Sequence, residues 1–214
     1  MTVDRRFRFI YKPLVFMAGL VPLVWLTLGV FGLYGIDLGA DPIKKMLHTC
    51  GKTALNFLML TLMITPLRQL AGLPHLLRLR RMLGLFAFFY ALVHFTIYFV
   101  LDQERNFASV LADIAKRPYI TVGFTALMLL LPLAVTSTNR MMRRLGRRWQ
   151  KLHRLVYVIA ILGVVHYYWQ VKRDVREPLI YAAILAGLLG YRYAKRRKRP
   201  ATSKSVSPTA PERI

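Results

Sequence analysis

The chain has 214 residues, of which 56% are hydrophobic and 19% are charged. It carries 32 Lys and Arg against 9 Asp and Glu, which gives a formal net charge of +23. A soluble domain is less apolar and about 25% charged, and a soluble nucleic-acid-binding protein would account for the charge but not for the hydropathy. Long apolar blocks separated by short basic loops account for both, and they indicate a protein that crosses a membrane several times.

Six apolar blocks follow one another along the chain, and a spanning helix needs about 20 such residues. The first block follows a basic arm (1–12) and is too long for the apolar part of a signal peptide, so it is predicted to be an anchor. Asp41 is suited to cap the second block, and Pro42 is suited to its first turn. A run of Lys and Arg at 195–199 ends the sixth block. The blocks span residues 13–33, 46–67, 82–101, 119–135, 152–171 and 178–193.

The distribution of positive charge predicts the orientation of these helices. If the N-terminus is cytoplasmic, the inner parts are the arm, the loops at 68–81 and 138–154, and everything from Arg192 onward. These parts hold 23 Lys and Arg, and the outer loops hold 9. Because Lys and Arg accumulate on the cytoplasmic side, we predict an all-α membrane protein. Its six-transmembrane helix bundle occupies 13–194, both termini are cytoplasmic, and a disordered basic tail is expected at 195–214.

Histidine is the residue type with the clearest potential for cofactor chemistry. The single cysteine, Cys50, excludes an intramolecular disulfide framework and a multi-cysteine zinc or iron–sulfur site. His75 is expected to be solvated in an inner loop, and His48 is expected to lie at the outer interface. Three histidines belong to apolar blocks: His94 in the third, and His153 and His166 in the fifth. Ionisable side chains inside a membrane usually mark a function.

Two of these histidines are predicted to lie at the same depth, because blocks three and five both run outward. His94 follows the last inner charge of its loop by 13 residues, and His166 follows Arg154 by 12. At 1.5 Å per residue, both rise roughly 18–20 Å from the inner surface. Two imidazoles at one depth are suited to a haem iron, which takes two axial ligands. The alternative is a pair of helix-packing histidines bonded to carbonyl or hydroxyl groups.

A second haem near the inner face has less support. An ideal helix returns to nearly the same face 14 residues before His94, but Arg80 stands there. An arginine does not ligate iron, although it pairs with a propionate or a phosphate. His153 and His166 are 13 residues apart, about 140° around an ideal helix, so they share a face only if that helix is kinked. His153 therefore remains open as an alternative ligand, a ligand of a second haem, or part of a flavin or quinone site.

Short motifs in a characteristic order give the chain a family resemblance from about residue 19 to residue 193. The segments are LGADP (38–42), TAL (53–55), ITPL (64–67), RRMLGL (80–85), RPY (117–119), TST (136–138), LGRRWQKLH (145–153), HY (166–167) and PLIY (178–181). The chain resembles the ferric-reductase-like transmembrane family. Within that family it is similar to the haem-binding membrane subunits of bacterial periplasmic protein-methionine-sulfoxide reductase systems.

The resemblance implies a haem b protein of the bacterial inner membrane that is also associated with FMN, with His94, His153 and His166 as its matched histidines. It implies that electrons arrive from the quinone pool or from a cytoplasmic flavin reductase. They would leave to a periplasmic molybdopterin enzyme that reduces methionine sulfoxide in oxidised proteins. The chain would then be an electron-transfer subunit without catalytic residues of its own. It has no Gly-rich motif of the G-x-G-x-x-G type, so it is not expected to use NAD(P)H by itself.

Other residues are candidates for supporting roles. The candidates for holding a haem propionate or the FMN phosphate are Arg80, Arg81, Arg147 and Arg148, the last two in a basic inner loop that also contains Arg140, Arg143, Arg144 and Lys151. Candidates for hydrogen bonds around a haem are Thr96, Tyr90 and Tyr167. The outer loops at 102–116 and 172–177 are candidates for docking the electron acceptor.

Three alternative functions remain. One is another transmembrane cytochrome b of ferric-reductase type, the second is a small proton-coupled transporter with no haem, and the third is a structural membrane subunit without a cofactor. Transporters of this size often have internal repeats and helices broken by Gly or Pro at the midplane. Blocks three and five contain no proline, which disfavours the transporter. A structural subunit leaves two histidines at matched depth without an explanation.

Overall fold

The computed structural model describes residues 3–171 and 174–197, and all regular structure in this part of the chain is helical. Two single-turn π segments extend helices, Phe7–Tyr11 before α2 and Tyr98–Asp102 after α4. The helices are α1 (Val3–Arg6), α2 (Lys12–Val30), α3 (Pro42–Ala71), α4 (Leu77–Ile97), α5 (Phe107–Lys116), α6 (Pro118–Val135), α7 (Asn139–Leu145), α8 (Arg147–Leu152), α9 (Leu155–Gln170) and α10 (Arg176–Arg197).

Five helical stretches among the described residues are long and apolar enough to cross a membrane, and they coincide with the first five predicted blocks. They are Phe9–Val30, Pro42–Ala71, Pro74–Asp102, Pro118–Val135 and Arg147–Gln170. The sixth block is helical, as α10, but α10 is not apolar enough over its length to join these five stretches. Only 14 uncharged residues separate Glu177 from Arg192 within it. The sixth span and the cytoplasmic position of both termini therefore stay predictions, and the predicted tail lies outside the described residues from 198 onward.

The long helices form two antiparallel pairs. Helix α3 packs along α4, and α6 packs along α9. The pairs touch each other through α4 with α6 and through α3 with α9, so that α4 and α9 face each other across a central cavity. Helix α2 lies outside the first pair, and α10 lies against α3 and α9. Large apolar side chains point outward from this bundle, as expected for lipid contact; they include Met17, Val21, Leu131, Ile161 and Ile180.

The start and end of α3 follow from local sequence. The Asp41 carboxylate accepts a hydrogen bond from the Lys44 backbone N–H (3.0 Å), and Pro42 occupies the first turn, as predicted. Such a cap satisfies one of the free N–H groups of the first turn. The helix ends at Gly72, whose φ of 66° is in the left-handed region that glycine adopts without a steric penalty. These boundaries make α3 the longest helix of the bundle.

Prolines inside two helices create contacts between elements. Pro66 has no N–H, so the carbonyl of Leu62, one turn earlier, lacks its helical donor. The Arg192 guanidinium of α10 donates to that carbonyl (2.6 Å) and also to the Tyr157 hydroxyl (2.8 Å). A buried carbonyl without a donor is costly, so this contact fixes α10 against α3 and α9.

The corresponding contact of α2 involves Tyr90, a fully buried residue of α4. Its hydroxyl donates to the carbonyl of Gly19 (2.7 Å) and accepts from the N–H of Leu23 (3.2 Å). These two backbone groups pair directly in a regular helix, and the neighbouring Pro22 lacks an N–H altogether. The inserted hydroxyl therefore anchors α2 to the bundle at the position where its own ladder is weakest.

Candidate functional site

His94 of α4 and His166 of α9 face each other inside the bundle. Their ring centroids are 6.2 Å apart, and their planes cross at 82°. The two helices place them there because both run in the same direction and carry their histidines at the same height. The sequence-based depth matching predicted this meeting, and the structure brings the two rings together.

Each imidazole is oriented by a backbone carbonyl of the neighbouring helix. The Nδ1 atom of His94 lies 2.9 Å from the carbonyl oxygen of Leu47, and that of His166 lies 2.7 Å from the carbonyl oxygen of Tyr119. A carbonyl only accepts hydrogen bonds, so each Nδ1 carries a proton, and in the neutral form of the ring Nε2 is then unprotonated. Each Nε2 then keeps a lone pair, which is the state of a histidine that ligates a metal ion.

Glycines make room for both contacts. Gly51 lies one turn after Leu47, and Gly123 lies one turn after Tyr119. A Cβ atom at Gly51 would stand 3.2 Å from Nδ1 of His94. At Gly123 it would stand 2.6 Å from Nδ1 of His166, closer than any real Cβ contact. The missing side chains give the rings access to carbonyls that already accept a helical hydrogen bond.

The two imidazoles line the central cavity, which has a volume of about 980 Å³. Its walls are mostly apolar, with Leu55, Ala91 and Leu127 among the lining side chains. Polar groups are concentrated at one end, which we call the mouth and which includes Asp41, Asp102 and Asp174. A large apolar cavity with few convergent polar groups is typical of a cofactor site.

Basic groups at the mouth were missed by the sequence analysis. Lys52 of α3 forms an ion pair with Glu177 of α10, and the Tyr167 hydroxyl donates to the same carboxylate. His48, expected to be merely interfacial, lines the cavity and pairs its Nε2 with the Gln170 amide (3.0 Å). A charged residue in a long apolar block, as Lys52 is, was the available signal for this cluster.

Arg117 is a further cation at the mouth. Its guanidinium forms an ion pair with Asp113 (3.2 Å). A side-chain hydrogen bond with Tyr119 and the charge of Asp113 raise the pKa of Arg117 above its ordinary value, so it stays charged at any physiological pH. Among the described residues, three cations line the cavity: Lys44, Lys52 and Arg117.

His153 lies away from this cavity, at a break between α8 and α9. The break separates it from the regular helix of His166, and such a kink is what the 13-residue spacing required for a shared face. Its ring stacks on Trp149 (centroids 3.9 Å apart), and its Nδ1 is 3.1 Å from the Trp149 carbonyl oxygen. The Nε2 atom is buried and has no hydrogen-bond partner among the described residues.

The four candidate arginines also lie outside the lining of the central cavity. Arg80 is half-buried and close enough to His153 to interact with it electrostatically, as its position on the helix predicted. Arg81 donates to the Asn139 side chain (2.5 Å). Arg147 and Arg148 are exposed in the first turn of α8.

The three candidate hydrogen-bonding residues have partners other than the paired imidazoles. Tyr90 bonds to α2, and Tyr167 bonds to Glu177. The Thr96 hydroxyl donates to the carbonyl of Leu92 in its own helix. In the outer loops, Lys172 and Arg173 lie outside the described residues.

A multi-pass helical bundle with a histidine pair in an apolar cavity has the architecture of a cofactor-binding membrane protein. Comparison with known proteins agrees with this class. The family model for the ferric reductase like transmembrane component matches residues 50–164. No solved structure matches the chain.

Similar proteins with assigned names give a finer assignment. Three such relatives are each named protein-methionine-sulfoxide reductase heme-binding subunit MsrQ. The protein of Xanthomonas euvesicatoria pv. vesicatoria is 49% identical over 207 residues, covering 94% of this chain and 95% of the relative. That of Xanthomonas campestris pv. campestris (strain 8004) is 54% identical over 177 residues, 81% of each chain. That of Brucella ovis is 51% identical over 192 residues, 88% of this chain and 85% of the relative. The chain belongs to the MsrQ family of ferric-reductase-like, multi-pass membrane proteins.

Proposed function

We propose that the protein is a haem b electron-transfer subunit, with His94 and His166 as the axial ligands of one haem. The observation that carries this proposal is the facing pair of imidazoles, each with Nδ1 held by a carbonyl. Relatives that are 49% and 54% identical to this chain are named heme-binding subunits, which supports the proposal.

The residues present fit such a group. Two imidazoles that would both bind one metal ion, with nitrogen–metal distances of about 2 Å, would have their ring centroids roughly 6 Å apart. The observed separation of 6.2 Å is therefore close to that of a bis-histidine site. The cavity between the rings is large and apolar, which suits a macrocycle.

A haem held by His94 and His166 would supply one-electron transfer. This chain's residues contribute the geometry. Leu47 and Tyr119 hold the two rings through their carbonyls, and Gly51 and Gly123 allow those contacts. The apolar walls limit the polarity around the site, which is one of the factors that set a reduction potential.

We further propose the direction of electron flow. Electrons would enter at the cytoplasmic side, from the quinone pool or a flavin reductase, and would leave to a periplasmic molybdopterin methionine-sulfoxide reductase. The accumulation of Lys and Arg in the inner loops supports an inner-membrane orientation with six spans and cytoplasmic termini. In that orientation the mouth of the cavity faces the periplasm, where this acceptor would dock.

In this proposal, FMN binds at the cytoplasmic half of the helix bundle. Arg147 and Arg148 lie in the segment 138–154, which contains no acidic residue, so a phosphate there meets only positive charge. His153, with its buried Nε2 and the nearby Arg80, is the second candidate cofactor ligand. Flavin fluorescence of the purified protein, compared between wild type and an Arg147→Gln/Arg148→Gln variant, tests the phosphate contact.

Absorbance spectroscopy of the purified protein tests the main haem. The reduced-minus-oxidised spectrum is expected to have the bands of a low-spin, bis-histidine haem b. His94→Ala and His166→Ala are each expected to remove that haem, because a single imidazole leaves one axial position without a ligand. His153→Ala is expected to retain it, because His153 does not line the cavity.

His75→Ala, in an inner connection, is the matched control. A colourless wild-type protein from haem-sufficient cells would overturn the proposal. So would retention of the full spectrum in both cavity-histidine variants, or loss of the main haem in His153→Ala alone.

A further inference from the structure

A second pocket, of about 360 Å³, lies between α3 and α10 at the end of the bundle away from the mouth. We call it the basic pocket. Its neutral lining consists of Thr65, Gln69 and Tyr191, and its charged lining consists of Arg68, Arg192, Lys195 and Arg196. Among the described residues no acidic side chain lines it.

Two of its guanidinium groups have donors that are not used by any residue in the described ranges. The Nε atoms of Arg68 and Arg192 are buried, and neither has a hydrogen-bond partner among the described residues. The other nitrogens of Arg192 donate to Leu62 and Tyr157, which are neutral acceptors. Buried donors are normally satisfied, and buried charges are normally paired, so this pocket has the charge and the hydrogen-bonding capacity for an anion.

We propose that the basic pocket binds the phosphate group of an anionic phospholipid. Basic pockets between helices on the cytoplasmic side recognise such headgroups, and arginine matches phosphate oxygens with paired N–H donors. The two helices that form the pocket carry exposed apolar side chains on other faces, Leu67 and Leu70 on α3 and Tyr193 on α10. These faces would contact lipid chains, and the cations lie near the ends of both helices, where lipid headgroups are found. The assignment to the cytoplasmic leaflet rests on the orientation in the proposed function.

A flavin fits the basic pocket less well than a lipid. Tyr191 is its only aromatic residue among those described, and Lys195 already stands over that ring, with Nζ 5.8 Å from the centroid. The Tyr191 hydroxyl is bonded to Gln69 (3.2 Å). One face of the ring therefore already has a cation over it, whereas a phosphate needs only the cations.

Thermal unfolding in delipidated detergent solution tests the proposal. The probes are phosphatidylglycerol and cardiolipin, with phosphatidylcholine, inorganic phosphate and FMN as comparison arms. The two anionic lipids are expected to raise the Tm of the wild-type protein, and the other three probes are not. Arg68→Gln and Arg196→Gln are expected to weaken the apparent affinity for anionic lipid about tenfold, because each removes a charge-assisted contact. Arg192 is not varied, since it also supports the fold.

The matched control is Arg144→Gln, an exposed inner arginine of α7 outside the pocket. Equal lipid affinity in wild type, Arg68→Gln and Arg196→Gln would overturn the proposal, as would an equal Tm shift with phosphate or FMN alone. The same titration on His94→Ala separates the two proposals. A lipid response in that variant supports the basic pocket whether or not haem binds, and failure of the haem spectrum leaves the lipid result interpretable.

Discussion

The positions of the two imidazoles depend on glycines in the neighbouring helices. Gly51 and Gly123 each lie one turn after the residue whose carbonyl receives a histidine, and both contacts join residues 47 positions apart in the chain. On both sides of the cavity, therefore, a backbone carbonyl orients the histidine and a glycine leaves room for the ring. The two glycines therefore position the histidines that we propose as haem ligands.

Adding a methyl group at Gly123 tests this role. In Gly123→Ala the new Cβ would stand 2.6 Å from Nδ1 of His166, so the ring must move and its bond to Tyr119 is lost. Loss of a group that orients a metal ligand typically weakens metal binding by about 10- to 100-fold. Haem titration should therefore give a weaker affinity, and the reduced spectrum and midpoint potential should shift.

Gly51→Ala should have a smaller effect of the same kind, since its Cβ would stand 3.2 Å from His94. Gly187→Ala in α10 is the control, because nothing lies within 4 Å of its Cβ position. A wild-type spectrum and potential in Gly123→Ala would show that these glycines do not position the histidines.

The sequence predicted the histidine pair but not its glycines. His94 and His166 are ionisable residues at matched distances from inner charges, so topology alone brought them together. A glycine in an apolar helix has no comparable signal, because its partner is a ring on another helix. Lys52 differs from the glycines, because a charged residue in an apolar block is a visible signal; only its partner, Glu177, is distant in sequence.

At the scale of elements, the attachment of α2 depends on one hydroxyl group. Tyr90→Phe removes the bridge between the carbonyl of Gly19 and the N–H of Leu23. The expected loss of stability is about 1–2 kcal/mol, since two buried backbone groups lose a partner and only partly recover it in each other. Thermal denaturation in detergent should give a lower Tm.

Tyr193→Phe is the control for this measurement, because Tyr193 is 62% exposed. The haem spectrum should be the same in both variants, since α2 does not line the central cavity. An unchanged Tm in Tyr90→Phe would mean that α2 is anchored by its apolar contacts instead.

Element boundaries followed the sequence where local chemistry defines them. Asp41 and Pro42 predicted the start of α3. The break at His153 was considered only as the condition under which His153 and His166 would share a face, and the sequence did not predict it. The sixth helix was also predicted and is present as α10. That it spans the membrane stays a prediction, because Arg192 shortens its apolar run. In the structure that arginine is occupied with the Leu62 carbonyl, a tertiary contact that hydropathy does not encode.

For the molecule as a whole, the positive charge predicts which side each loop occupies. Cys50 is fully buried, so introduced cysteines can be labelled without background from it. In spheroplasts, an impermeant maleimide should label Glu104→Cys and Asp174→Cys. It should label Arg144→Cys and Ser203→Cys only after the membrane is permeabilised, because these positions are predicted to be cytoplasmic.

The pair at 174 and 203 tests the sixth span by itself. Labelling of both positions from the same side would mean that α10 does not cross the membrane. Labelling of Arg144→Cys in intact spheroplasts would instead reverse the orientation and place the mouth of the cavity in the cytoplasm. The chain without the Cys50 background, Cys50→Ala, provides the control for nonspecific reaction.

The division of the cavity between two helix pairs has a consequence for biogenesis. The ribosome synthesises α3 and α4 before α6 and α9, so the first pair carries only His94. His166 is added when α9 is synthesised. A bis-imidazole site therefore does not exist until the second pair has inserted and docked against the first. Cofactor capture would be a late checkpoint in assembly, at which an incompletely inserted chain is distinguished from a finished one.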